Sequence, residues 1–133
     1  MSDRSFYFRN INSTGAPQNM TAAGSLTSLD VPCRGAKAVH FIVRSTTDAD
    51  TFAASQLNLR TRLNELSSAI EGSTGLTLAG TQNGVVGTTG FCVTVTNAAG
   101  IDTRLAHYAL GVRLVAGANA IDNVAIDAMV VYD

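Results

Sequence analysis

The sequence predicts an all-β chain, an antiparallel β-sandwich or jelly roll with one long irregular insertion. Three observations predict it. Apolar and polar residues alternate with period two in several segments of six to ten residues. Turn-forming clusters of Gly, Asn, Asp, Ser and Pro separate those segments. No internal repeat or linker divides the 133 residues. Residues 1–133 therefore read as a single domain opening with a short N-terminal arm over residues 1–20.

The first segment, Ser5 to Ile11, holds the aromatic run Phe6-Tyr7-Phe8, which favours a strand. Asn12 to Pro17 is turn chemistry. Leu26 to Val31 reads as a short edge strand stopping before Pro32, which has no N–H to donate. Ala36 to Arg44 is the clearest strand, with Val39, Phe41 and Val43 on one face and Ala38, His40, Ile42 and Arg44 on the other. Apolar residues on both faces suit a central strand. Ser45 to Asp50 is a polar loop.

Ser55 to Leu63 fits two periods. As a strand it turns Leu57, Leu59, Thr61 and Leu63 inward and Asn58, Arg60 and Arg62 outward. With helical spacing, Leu59, Leu63, Leu66 and Ile70 form a stripe. The strand is favoured, leaving Asn64 to Glu71 as a helical turn or a long loop. Gly72 to Gly90 is the insertion, rich in Gly, Thr and Ser, with one apolar piece at Leu76 to Ala79 and a tight-turn signal at Asn83-Gly84. Phe91 to Thr96, His107 to Ala116 and Val124 to Tyr132 alternate as strands, separated by turns at Asn97 to Gly100 and at Gly117 to Asn119.

Composition narrows the function. Charged residues make up 14% of the chain against a usual share of about 25%, while 46% is hydrophobic. A surface so poor in charge suggests that a partner covers part of it. The formal net charge of −1 gives no long-range attraction to nucleic acid or anionic membrane. No stretch approaches the 18 or so apolar residues of a membrane helix. The opening Met1-Ser2-Asp3-Arg4 has no apolar signal core, so synthesis in a cytoplasm is expected. Eight of the nine basic residues are Arg, with Lys37 the exception. Partly buried interface contacts and GC-rich coding both produce that bias.

Chemistry is not signalled. His40 and His107 lie within strand patterns and read as structural. No Gly-x-Ser-x-Gly elbow is present, and Glu65 and Glu71 are the only glutamates. Asp48 and Asp50 lack the remainder of a calcium loop. The glycine-rich insertion lacks a Gly-Lys-Ser/Thr ending. Cys33 and Cys92 have no metal-site spacing and read as two buried free thiols. No catalytic residue, cofactor or metal is expected.

The interface candidates are Phe6, Tyr7, Phe8, Arg60 and Arg62. Neighbours in a strand point to opposite faces, so three adjacent rings cannot share one core. Either Tyr7, or Phe6 with Phe8, must meet something else. Arg60 and Arg62 share an outward face, where they are solvated, stack on nucleic-acid bases or pair with a partner's carboxylates.

The stretches His107 to Gly117 and Val124 to Asp133 resemble the last two strands of small jelly-roll cement proteins of tailed phages, of the Bordetella-phage type. Ala36 to Arg44 followed by Leu57-Asn58-Leu59-Arg60 is similar to their earlier strand pair. The longer segment from Asn64 to Gly90 departs from that pattern. The resemblance implies a capsid decoration protein on the outer surface of the virion, made in the host cytoplasm. Its implied partners are the major capsid protein and itself, as a dimer or trimer, with no nucleic acid and no membrane. Two other readings stay open: a tail-tube or head–tail joining protein, and a non-catalytic binding module such as a carbohydrate-binding sandwich. The lack of Trp counts against the last.

Overall fold

A computed structural model of the chain describes residues 4–45, 55–66, 68–71, 76–79, 91–97, 104–117 and 120–133. Among them eleven strands and no helix are found. They are β1 (Arg4–Phe8), β2 (Gln18–Met20), β3 (Ser25–Thr27), β4 (Val31–Pro32), β5 (Ala38–Ser45), β6 (Gln56–Arg62), β7 (Ile70–Glu71), β8 (Leu76–Ala79), β9 (Phe91–Asn97), β10 (Ala109–Val115) and β11 (Ile121–Tyr132).

The strands form two antiparallel sheets, the sandwich expected from the period-two pattern. The first runs β1-β11-β5-β9-β8, with β2 beside β1 on the same edge of β11. The second runs β3-β10-β6-β7, with β4 beside β3 on β10. Alternation decides which side chains meet. Val39, Phe41 and Val43 of β5 lie in register with Val130, Ala128 and Ile126 of β11. Val93 and Val95 of β9 lie opposite Phe41 and Val39. From the other sheet, Leu110, Val112 and Leu114 face the same core, with Leu59 beside Val112. All these side chains are buried, and each large one contributes about 1.5–3 kcal/mol relative to exposure.

Several expected boundaries move. The first strand ends at Phe8, because Asn10 takes a left-handed φ of 51° and turns the chain. The expected turn after it forms, with Gly15 N–H donating to the Asn12 carbonyl at 2.8 Å. The arm assigned to residues 1–20 thus contributes two strands, β1 and β2, to the edge of the first sheet. The expected strand over 26–31 divides into β3 and β4. Pro32 does not stop it: Pro32 pairs with Ala109, a place on the outside of β10 where its missing N–H costs no ladder bond.

The strand reading of 55–63 holds over Gln56–Arg62, with Asn58, Arg60 and Arg62 outward, but Leu63 is exposed rather than inward. Past Arg62 the chain turns: Leu66 N–H donates to Asn64 Oδ1 at 2.9 Å, and β7 then pairs back on β6. Of the insertion, residues 76–79 form β8, paired with β9. The expected loop at 46–50 with Asp48 and Asp50, the Asn83-Gly84 turn, the other glycine-rich positions and the turns at 98–100 and 118–119 lie outside the described residues.

Candidate interaction surfaces

The ladder along β11 fixes the orientation of β1. Ile126 accepts from Ile11 N–H at 2.7 Å and donates its own N–H to Asn12 Oδ1 at 2.9 Å, both on the β1 side. The Val131 carbonyl accepts from Lys37 N–H on the β5 side. Backbone polarity alternates along a strand, so Tyr132, Val130 and Ala128 bond to their partners Arg4, Phe6 and Phe8. The N–H and C=O groups of Ser5 and Tyr7 therefore point away from β11. Among the described residues no strand pairs with that outer edge.

The aromatic run is split by the pleat. Phe6 and Phe8 face the side of the core. Phe8 packs against it, while Phe6 is 51% exposed and stands edge-on to Tyr132, ring centroids 5.7 Å apart. With Pro32 and Val130 these three rings line an apolar cleft of about 210 Å³, open at the sandwich edge. That is below the roughly 300–1,000 Å³ of small-molecule sites and suits one or two side chains.

Tyr7 lies on the opposite face, 52% exposed, and its hydroxyl donates to Asp127 Oδ2 at 2.8 Å. Asp127 is buried at 1% exposure and also accepts from Asn10 N–H at 2.8 Å and Arg44 Nε at 2.9 Å. Burial raises its pKa, but the bonds from Arg44, Asn10 and Tyr7 outweigh burial and hold the carboxyl below the usual range. The same bond to Asp127, followed by burial, raises the Tyr7 pKa. Tyr7 thus has an internal partner: it clamps β1 onto β11.

Arg60 and Arg62 lie elsewhere, on the outer face of the second sheet. Neither stands free in solvent. Arg60 faces Glu71 at 4.0 Å, which Arg113 also meets at 3.4 Å. Arg62 reaches Asp30 at 3.7 Å and, with Arg34, sits over the Tyr108 ring, 5.7 and 5.8 Å from its centroid. Arg34 also donates to the carbonyls of Leu63 and Ala106. The structure therefore brings Phe6 and Phe8 together, sets Tyr7 across the sheet from them, and puts Arg60 and Arg62 on another surface.

Sequence reasoning missed Arg4 and Arg9. Both are exposed, they bracket β1, and neither is ion-paired or hydrogen-bonded among the described residues. Their position on either side of the aromatic run was the available signal.

The remaining candidates lie in or beside the two sheets. His40 Nδ1 and the Thr94 hydroxyl are hydrogen-bonded at 2.9 Å. His107 is half-buried, and burial lowers its pKa. Cys33 is buried, its Sγ donating to the His107 carbonyl at 3.6 Å, and burial pushes its thiol up to about 12. Cys92, expected to be buried, is exposed: its position on β9 points away from the core side held by Val93 and Val95. Both thiols are free.

No protein-family model matches this chain, and no curated protein matches it in sequence. Among solved structures it is similar to FlhE, with a TM-score of 0.40 and 14% identity over 99% of this chain and 98% of that one. It is also similar to a family 11 carbohydrate-binding module from Clostridium thermocellum, solved with a β-1,3-1,4-mixed-linked tetrasaccharide, with a TM-score of 0.40 and 7% identity over 99% and 84% of the two chains. A third is the C-terminal family 6 carbohydrate-binding module of LamC from Zobellia galactanivorans, with a TM-score of 0.34 and 12% identity over 96% and 99%. Likeness at these scores assigns no ligand to this chain.

Proposed function

We propose that this chain is a virion structural protein, a decoration protein that binds the outside of an assembled phage head and stabilises contacts between major capsid subunits. The observation that carries the reading is the outer edge of β1, where backbone groups with no partner strand among the described residues, the half-exposed Phe6 and an apolar cleft adjoin. An edge of this kind recognises polypeptide. The charge-poor composition and the resemblance of the last two strands to phage cement proteins support the same reading.

The mechanism is linkage. A protein that binds the assembled shell and not its free subunits stabilises the shell by mass action. A dimer or trimer touching several subunits gains effective concentration at each further contact. Aromatic side chains suit such anchors because they bury large area with few rotatable bonds.

The test uses expanded, undecorated heads assembled from the capsid protein of the same virus. The purified chain is expected to co-sediment with them to saturation and to raise the temperature at which they open. Failure to bind those heads rejects the reading. Light scattering of the chain alone separates the nearest alternative: a small oligomer fits decoration, whereas large rings or tubes fit a tail-tube or joining protein.

A further inference from the structure

We infer that the outer edge of β1 takes an extended acidic strand from a partner polypeptide, adding it to the first sheet. The inference deepens the decoration reading, and rests on it for the partner's identity, the major capsid protein.

Backbone direction comes first. Ser5 and Tyr7 present two N–H donors and two C=O acceptors along one line, the pattern that an added strand satisfies. Side-chain space comes next. Residues of an added strand that lie beside Phe6 and Phe8 share their face, so alternate apolar side chains enter the cleft over Pro32, Val130 and Tyr132.

Charge then selects among occupants. Arg4 and Arg9 stand at the two ends of this edge without a counter-charge among the described residues. Other cations are neutralised close by: Lys37 by Asp133, Arg44 by Asp127, Arg60 and Arg113 by Glu71. A second copy pairing antiparallel, with Ser5 opposite Tyr7, would set Arg4 of each chain opposite Phe8 of the other, where it gains no carboxylate. An incoming strand with carboxylates near its ends meets both arginines favourably. The occupant is therefore an extended segment, apolar at alternate positions and acidic at its ends.

The test uses the full chain and two blocked hexapeptides, Asp-Val-Thr-Val-Thr-Asp and its counterpart with Lys in place of both Asp. Binding is followed by amide shifts in nuclear magnetic resonance, because a contact this small is held at roughly millimolar strength. The acidic peptide is expected to shift residues 4–9 and the Phe6 and Phe8 rings, and to bind better than the Lys peptide by roughly fivefold to thirtyfold. Ser5→Pro removes an outward N–H and leaves the bonds to β11 in place, so it should fold and lose the peptide. The double variant Arg4→Glu with Arg9→Glu, at two exposed positions, should reverse the preference to the Lys peptide.

The inference is overturned if neither peptide shifts the native chain. It is equally overturned if both peptides bind alike, if Ser5→Pro binds as well as the native chain, or if the chain forms a dimer that Ser5→Pro abolishes. Head binding separates the two proposals. Heads bound by native chain and Ser5→Pro alike would leave decoration standing without the edge, and peptide binding without head binding would leave the edge standing without decoration.

Discussion

Asn12 is expected to be among the costliest polar positions in the fold to change. Its side chain is fully buried between β1 and β2, where no strand pairs with that edge of β11. There it stands in for a strand: Oδ1 accepts from Ile126 N–H and Nδ2 donates to the Val124 carbonyl, both at 2.9 Å. Asn12→Ala leaves both groups unpaired. Each costs about 1–3 kcal/mol, and partial entry of water into the vacated space favours the lower half, so the loss is about 3 kcal/mol. Domains hold only about 5–15 kcal/mol in total. With a urea m-value of about 1–3 kcal/mol per molar, the unfolding midpoint falls by about 1–3 M with m unchanged.

Asn12→Asp refines the test. The Ile126 bond survives, but a carboxylate oxygen would then face the Val124 carbonyl, and only a protonated carboxyl can donate to it. The folded pKa is therefore raised above the unfolded value of about 3.9. A raised carboxyl makes the folded state the better proton binder, so stability falls as pH rises from about 4 towards the folded pKa. The penalty relative to Asn12 is thus small near pH 4 and large at pH 7. Urea melts of all three chains across that range check both points. An Asn12→Ala loss within about 0.5 kcal/mol of zero, or an Asn12→Asp penalty independent of pH, would refute the reasoning.

The clamp on Asp127 runs in the opposite sense with pH. Its depressed carboxyl contributes stability that is present above the unfolded pKa of about 3.9 and is lost as pH falls through the folded value, visible as acid unfolding shifted by Asp127→Asn. Asp127→Ala leaves Arg44 without its carboxylate and costs about 3 kcal/mol in denaturant melts, whereas Tyr7→Phe removes one bond and costs about 1 kcal/mol. A Cβ at Gly111 would lie 2.5 Å from Asp30 Oδ1, 3.1 Å from Ser28 Oγ and 3.3 Å from the Leu29 carbonyl. Gly111→Ala should therefore displace Asp30 from Arg62 and lower stability by about 1–3 kcal/mol in the same melts. A thiol reagent at pH 8 should label Cys92 in the native protein and Cys33 only after unfolding, read by mass spectrometry; native labelling of Cys33 would contradict its burial.

The long strands were legible because period two is a local property. Ala36 to Arg44, Phe91 to Thr96 and Val124 to Tyr132 each carry a run long enough to be read as a strand, though Ala36 to Arg44 is apolar on both faces. β2, β3, β4 and β7 are two or three residues long, too short for any period, and exist because a long neighbour lends them a ladder. Leu63 misled for a related reason. The alternation Leu57, Leu59, Thr61 continues to it, yet Arg62 is the last paired residue, its carbonyl accepting from Tyr108 N–H as the chain leaves the sheet. Asn12 gave no sign because its partners lie 112 and 114 residues away. Of the site, the conflict within Phe6-Tyr7-Phe8 was readable from the pleat alone, but its resolution was not. The Asp127 carboxylate that engages Tyr7 is 120 residues distant.

The same separation explains how an exposed edge stays specific. Free strand edges invite pairing with any other edge, and proteins commonly blunt them with charge or proline. Here Tyr7 ties β1 to β11 through Asp127, which holds the edge in place. In self-pairing Arg4 would lie opposite Phe8, whereas an acidic strand gives both arginines a carboxylate, so the charges favour the acidic strand over a second copy. Raising the salt concentration should weaken that preference, and the acidic peptide should lose its advantage over the Lys peptide. A salt titration that leaves the preference unchanged would assign it to something other than the arginines.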